Sequence, residues 1–296
     1  MKKILAIDIG GTAIKYGILD ENGTLLEEKK TETEAMKGAA HLVEKVCTLI
    51  SQTKNDHELA GVTISTAGIV DVEKGEIVWA NDNLPGYTGT KWKQILESRF
   101  QIPCEVENDG FCAGLAEYYS GSLQGTKVGL CLVIGTGIGG ALVVDGNIFH
   151  GANFAATEIG YLILPQGGFE ATGSTKALVE SVAARKGIPP SQTNGYEILQ
   201  QAKAGEEVSA NAISEMCDIL GAGIANICYV ANPEVIVIGG GISAQKEYLY
   251  PKIRAALDKY LMKSVAENTK LTFAVHENLA GLLGAFYNFR KRQGWT

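Results

Sequence analysis

Glycine-rich turns and a small set of carboxylates are the residues of this 296-residue chain that could do chemistry. Asp8-Ile9-Gly10-Gly11-Thr12 ends one apolar run and opens another, with Lys15 three residues further on. A turn without side chains lets backbone N–H groups close on an anion. Asp8, at the end of a strand, suits Mg²⁺ held through water, since that ion keeps several of its waters. Thr12 offers a hydroxyl and an N–H to a phosphate. Lys15 either adds charge there or faces solvent, and taken alone the segment also fits an ordinary β-turn. Gly135, Thr136 and Gly137 begin a second turn of the same design, so the pair predicts a phosphate chain gripped from both sides. Gly239, Gly240 and Gly241, between a β-branched run and a helical one, form either a plain connection or a place where adenine or ribose approaches the backbone.

The carboxylates fall elsewhere. Glu107-Asn108-Asp109 lies where a strand meets a helix. Asp109 there suits a general base with Asn108 orienting a hydroxyl; the competing reading makes one of them the helix N-cap. Glu158, with Tyr161 after it, and Glu170 sit in a glycine-spaced, loop-like stretch. Carboxylates of this kind either grip the hydroxyls of a sugar or are simply solvated.

The second turn also spells GxGxxG, the dinucleotide fingerprint. That motif needs a helix to start at the turn, whereas Ala141-Leu142-Val143-Val144 continues as a strand, so NAD is rejected. A net charge of −7 and 20% charged residues argue against nucleic acid, whose phosphates demand a basic surface. The six cysteines are scattered without CxxC spacing, and none of the four histidines pairs with another at ligand spacing. Zinc and disulfides are therefore not expected. Asp8 breaks the N-terminal apolar run too early for a signal peptide, and glycines divide the long apolar stretch 128–144. These features predict a cytoplasmic protein with no membrane span.

Positioning these groups requires a mixed α/β chain. Strand patterns cover 4–8, 13–19, 24–30, 60–65, 103–107, 127–134, 140–145, 234–238 and 271–275. Helical spacing covers 34–51, 91–100, 111–118, 174–186, 195–204, 210–230, 246–262 and 281–290. The paired glycine hairpins predict two lobes of related build, 1–119 and 120–279, with the helix of about 280–296 returning to the first.

In order and at family-like spacing, DIGGTAIK, STAGIVD, NDNLPGYTG, VENDGFCAGLAE, IGTGIGGAL, ATEIGY, FEATGSTKALVE and VIGGGIS resemble the ROK family of sugar kinases and sugar-responsive repressors across essentially the whole chain. The resemblance implies an actin-like ATPase (ribonuclease H-like) fold, two lobes with a central cleft, and ATP with Mg²⁺. It implies that Asp109 deprotonates a sugar 6-hydroxyl, that Asn108, Glu158 and Glu170 hold other hydroxyls, and that the Gly68 backbone lies beside the sugar. Thr12 and Thr136 become phosphate contacts, the 239–241 turn adjoins the nucleoside, and a homodimer is expected.

The sequence departs from the family at one place. Most members read EIGH followed by a zinc loop CxCGxxGC; here Tyr161 stands in the histidine position and the cysteines are absent. Zinc-less relatives with GY include N-acetylmannosamine kinases and β-glucoside kinases. The expected activity is thus ATP-dependent phosphorylation of a hexose or hexose derivative, of N-acetylmannosamine or glucose type, with cellobiose-like β-glucosides as the alternative. A sugar-sensing regulator is the competing class. Asp8 stands too near the start to leave room for the helix-turn-helix that such repressors carry.

Overall fold

The computed structural model describes residues 2–295. The chain runs β1 (Lys3–Ile9), β2 (Ala13–Asp20), β3 (Leu25–Glu32), α1 (Ala39–Asp56), β4 (Leu59–Thr66), β5 (Ile69–Asp71), β6 (Glu76–Trp79), α2 (Trp92–Phe100), β7 (Cys104–Asn108) and α3 (Asp109–Ser120). It continues with β8 (Val128–Ile134), β9 (Ile138–Val144), β10 (Asn147–Ile148), β11 (Ile163–Leu164), β12 (Gly167–Gly168), α4 (Phe169–Gly173), α5 (Thr175–Lys186), α6 (Gly195–Lys203) and α7 (Glu207–Ala231). β13 (Val235–Gly239), α8 (Lys246–Tyr260), α9 (Lys263–Ala266), β14 (Lys270–Phe273) and α10 (Ala280–Arg292) complete it. Two compact units result: one of 1–119, 150–156 and 278–296, the other of 120–149 and 157–277. The segment 150–156 thus groups with the first unit, although a division at residue 120 assigns it to the second.

In the first unit the sheet order is β3-β2-β1-β4-β7, antiparallel through β1 and parallel beyond it. β1 shows why it is central. Its residues alternate faces, and both faces are apolar and buried. Leu5, Ile7 and Ile9 join the core that holds α1 residues Leu42, Val46 and Ile50. Ile4 and Ala6 face Leu282, Phe286 and Phe289 of α10, the returning helix. Gly284 lets α10 approach α3 so closely that a Cβ there would run into the Cys112 carbonyl. α1 begins at Ala39, later than the helical spacing from Glu34 suggests. Glu34 is left-handed (φ 55°), and a short 3₁₀ turn precedes the helix.

The second unit repeats the plan: order β10-β9-β8-β13-β14, again antiparallel then parallel. Its core is α7, whose Ile213, Met216, Leu220 and Ile224 are buried among β8, β13 and α8 residues. α7 starts three residues before its apolar pattern because the Glu206 side chain accepts from the amides of Val208 and Ser209. It is the one helix among the described residues long and apolar enough to cross a membrane, yet 56% of its most apolar window is buried. It is built as a core helix. The loop-like stretch after Glu158 contains the β11–β12 hairpin and α4, elements too short to show a period. All six cysteines are buried and lie outside disulfides.

Candidate active site

The first glycine turn is closed by Gly10 N–H on the Ala13 carbonyl at 3.1 Å. Thr33, fully buried at the end of β3, braces it twice: its hydroxyl donates to the Gly10 carbonyl and its amide to the Thr12 carbonyl. Gly11 and Thr12 are left exposed, and no atom lies within 4 Å of where a Gly11 Cβ would stand. Such an open, small-residue turn fits a phosphate. Lys15 pairs with Asp8 across β1–β2, is half-buried, and its Nζ donates to the Asn278 carbonyl at 3.1 Å.

Asp8, half-buried at the end of β1, accepts from the Ser65 hydroxyl at 2.7 Å. Burial pushes its pKa up, with the Ser65 bond and the Lys15 charge pulling down. A carboxylate short of cationic partners, beside an open glycine turn, fits a hydrated Mg²⁺. Gly281 of α10 lies against this carboxylate, in space that any side chain would take. Neither Thr33 nor Gly281 stood out in the sequence, and Ser65 did so only as the first letter of STAGIVD; their packing reveals them.

At the β7–α3 junction the choice of cap is settled. Asn108 Oδ1 accepts the Phe111 amide at 3.0 Å, so Asn108 caps the helix, while Asp109 Oδ1 accepts the adjacent Gly110 amide at 2.9 Å. Asn108 Nδ2 donates to the Gly68 carbonyl at 3.0 Å. Gly68 itself is left-handed (φ 100°), and a side chain there would crowd the Trp79 carbonyl. Asp109 is thus placed by a neighbour that caps in its stead, and its side chain stays exposed. Crowding by protein pushes its carboxyl above the usual aspartate range, and the charge of Asp8 pushes the same way. The Gly110 amide and the Asn108 side chain pull back, and water at the exposed side chain screens much of the push. Gly68, Asn108, Asp109, Asp8, Gly10, Gly11, Thr12 and Lys15 all belong to the first unit.

In the second unit, Gly135 N–H closes on the Gly137 carbonyl at 2.9 Å, and Thr175, heading α5, donates its amide to the Gly135 carbonyl. Thr136 is exposed at the tip. Glu170, in the first turn of α4, accepts the Ile138 amide at 2.9 Å, and its carboxylate fills the space beside Gly137 and Gly160. Glu158 precedes a 3₁₀ turn, Ile159–Tyr161, that Tyr161 ends; both are exposed, Tyr161 at 68%. Gly240 (φ 85°) turns the chain against the Ile134 carbonyl, where only glycine fits, and Gly239 and Gly241 stand on either side. The 239–241 turn and the 135–137 turn are therefore neighbours through Ile134. Among the described residues no group of three or more His, Cys, Asp or Glu could hold a metal ion.

Known proteins bear on this arrangement. The model of the ROK family matches residues 4–292. A β-glucoside kinase of Listeria monocytogenes is 31% identical over 98% of both chains. Among solved structures, a Listeria monocytogenes protein named as a candidate N-acetylmannosamine kinase superposes with a TM-score of 0.89 at 29% identity, covering 98% of this chain and 99% of its own. A ROK family glucokinase from Streptomyces griseus, in complex with glucose and AMPPNP, gives 0.84 at 25% identity, with 98% and 99% covered. With the family match spanning nearly every residue and the glycine turns set on duplicated sheets, the chain belongs to the ROK family and has its actin-like ATPase fold.

Proposed function

We propose that this ATP-dependent sugar kinase transfers the γ-phosphoryl group of ATP to the 6-hydroxyl of a hexose or hexose derivative, with Asp109 as general base. The observation that carries this reading is the division of labour at the β7–α3 junction. Asn108 caps the helix, which leaves the Asp109 carboxylate exposed at the end of a parallel strand and within electrostatic reach of Asp8. As the sugar oxygen bonds to the γ-phosphorus and the bond to the β,γ-bridging oxygen breaks, the hydroxyl proton passes to Asp109 and ADP leaves. Phosphoryl transfer gains mostly from positioning and charge stabilisation. Gly10, Gly11, Thr12 and Lys15 of the first unit, and Gly135, Thr136 and Gly137 of the second, serve the phosphates; Gly239, Gly240 and Gly241 serve the nucleoside. Asp8 would hold a hydrated Mg²⁺, which would neutralise charge at the phosphates. Asn108, Glu158, Tyr161, Glu170 and the Gly68 backbone serve the sugar.

The favoured acceptors are N-acetylmannosamine and glucose. A second reading, a cellobiose-type β-glucoside, is supported by the likeness to the Listeria β-glucoside kinase. A coupled ADP-release assay with glucose, N-acetylmannosamine, N-acetylglucosamine and cellobiose tests both. Turnover with one of them supports the kinase and names its acceptor; sugar binding without ADP release from any of them points instead to a sugar sensor. The protein is further proposed to act as a cytoplasmic homodimer, which sedimentation of the purified protein tests.

A further inference from the structure

Glu107 is 1% exposed, and each of its carboxylate oxygens has a partner. Oε1 accepts the Asn108 amide at 2.8 Å, and Oε2 accepts from His150 Nε2 at 2.8 Å. The carboxylate only accepts, so Nε2 carries the proton. The His150 ring also meets Phe111 edge to face, with centroids 5.2 Å apart at 85°. One imidazole therefore touches the residue two before Asp109 and the residue two after it. His150 is itself held: the Ala156 amide donates to its carbonyl, closing a loop whose Phe154 packs on the first unit's core and lies 6.3 Å from the His150 ring. This loop is the segment 150–156, which the chain contributes to the first unit between two stretches of the second.

We propose that His150 and Glu107 are a positioning pair that fixes the backbone on both sides of the base, so that His150 acts on turnover through Asp109; this rests on the reading of Asp109 given above. Without the imidazole, a buried carboxylate keeps only the Asn108 amide and must swing to find water, which is costly for a buried charge. The Asn108 peptide follows it, and a displacement of about 1 Å at a reacting group is worth roughly 100-fold in rate. The loss falls on kcat, because no atom of the pair is assigned to a substrate.

The test is a double-mutant cycle with ATP and the best of the four acceptors named above, with thermal melting of each protein alongside. His150→Ala is expected to lower kcat about 30-fold with both KM values within about threefold. His150→Gln, whose amide nitrogen can stand where Nε2 stands, should restore kcat to within about fivefold of the parent. In an Asp109→Asn background, adding His150→Ala should change kcat less than about threefold, since residues that act as a unit are non-additive. Should His150→Ala fail to fold, His150→Asn replaces it; its shorter amide keeps a polar group but cannot reach Glu107. Fully additive losses, or a lowered melting temperature with unchanged kcat, overturn the pairing. Near-normal turnover of Asp109→Asn alone overturns the base assignment itself and the pair's role with it.

Discussion

Glu170 accepts the amide hydrogen of Ile138 at 2.9 Å, so the carboxylate that opens α4 is fastened to the second glycine turn. Whatever else Glu170 touches, it helps to set the shape of residues 135–138. Replacing it with alanine should therefore weaken ADP binding with no sugar present. A hydrogen bond to a charged group is worth roughly 1.5–3 kcal/mol, and exposure of Glu170 favours the low end, about tenfold in Kd. Glu170→Gln keeps an acceptor and should bind ADP nearly as the parent does. Calorimetry decides; unchanged ADP affinity in the alanine variant would show that the turn holds its shape without Glu170.

Asp109→Asn should lower kcat by about 10²–10⁴-fold, the usual worth of general-base help, with little change in sugar affinity. Asparagine keeps an oxygen for the Gly110 amide, so the junction should stay folded. Steady-state kinetics paired with equilibrium sugar binding separates the two effects.

With Asp109 as the proposed base, its raised pKa should set the acid side of the pH profile. The base works as a carboxylate, so kcat/KM should fall as pH drops through its pKa, and crowding together with the Asp8 charge moves that limb above the ordinary aspartate value of about 3.9. A profile at constant ionic strength measures it. A limb at or below the ordinary value would mean that solvent at the exposed carboxylate cancels both influences.

Gly284→Ala sets two effects against each other. Alanine gains up to about 1 kcal/mol of helix propensity over glycine. The new Cβ would meet the Cys112 carbonyl of α3, which is backbone and can yield only if α10 moves. Overpacking of that kind typically costs about 1–3 kcal/mol, so the net effect should be a lowered melting temperature. Calorimetry of the variant checks the sign.

The elements that carry the candidate site were legible in the sequence because their signals are local. Strand-turn-strand around Gly10 and Gly135, and the strand-to-helix step at Asn108, each fit within about ten residues of apolar periodicity and turn chemistry. What escaped is long-range. His150 lies 43 residues from its partner Glu107, and nothing around it in the chain marks the pairing. Thr33 reads as an ordinary residue at the end of a charged edge strand until its hydroxyl is seen on Gly10. Glu170 read as a loop carboxylate because α4 and the β11–β12 hairpin are too short for any period to show. The choice between Asn108 and Asp109 as cap depended on side-chain rotamers, which sequence does not specify.

Tyr161 replaces the histidine of the usual EIGH pattern, and no cluster of three metal-ligating side chains occurs among the described residues. Protein purified without added zinc should contain well under one zinc per chain by elemental analysis, and its turnover should survive removal of zinc by a chelator followed by restored Mg²⁺. Stoichiometric zinc that is needed for activity would contradict this.

The return of α10 to the first sheet has a consequence for synthesis on the ribosome. Ile4, Ala6 and Leu19 are made long before Leu282, Phe286 and Phe289, which cover them. Gly281, seated against Asp8, arrives equally late. One apolar face of the nascent sheet must therefore wait, bare, while more than 250 intervening residues emerge. Domains usually fold as units from the N-terminal end during translation, and exposed apolar surface invites aggregation. Here the unit whose sheet appears first is completed only after the other has been made.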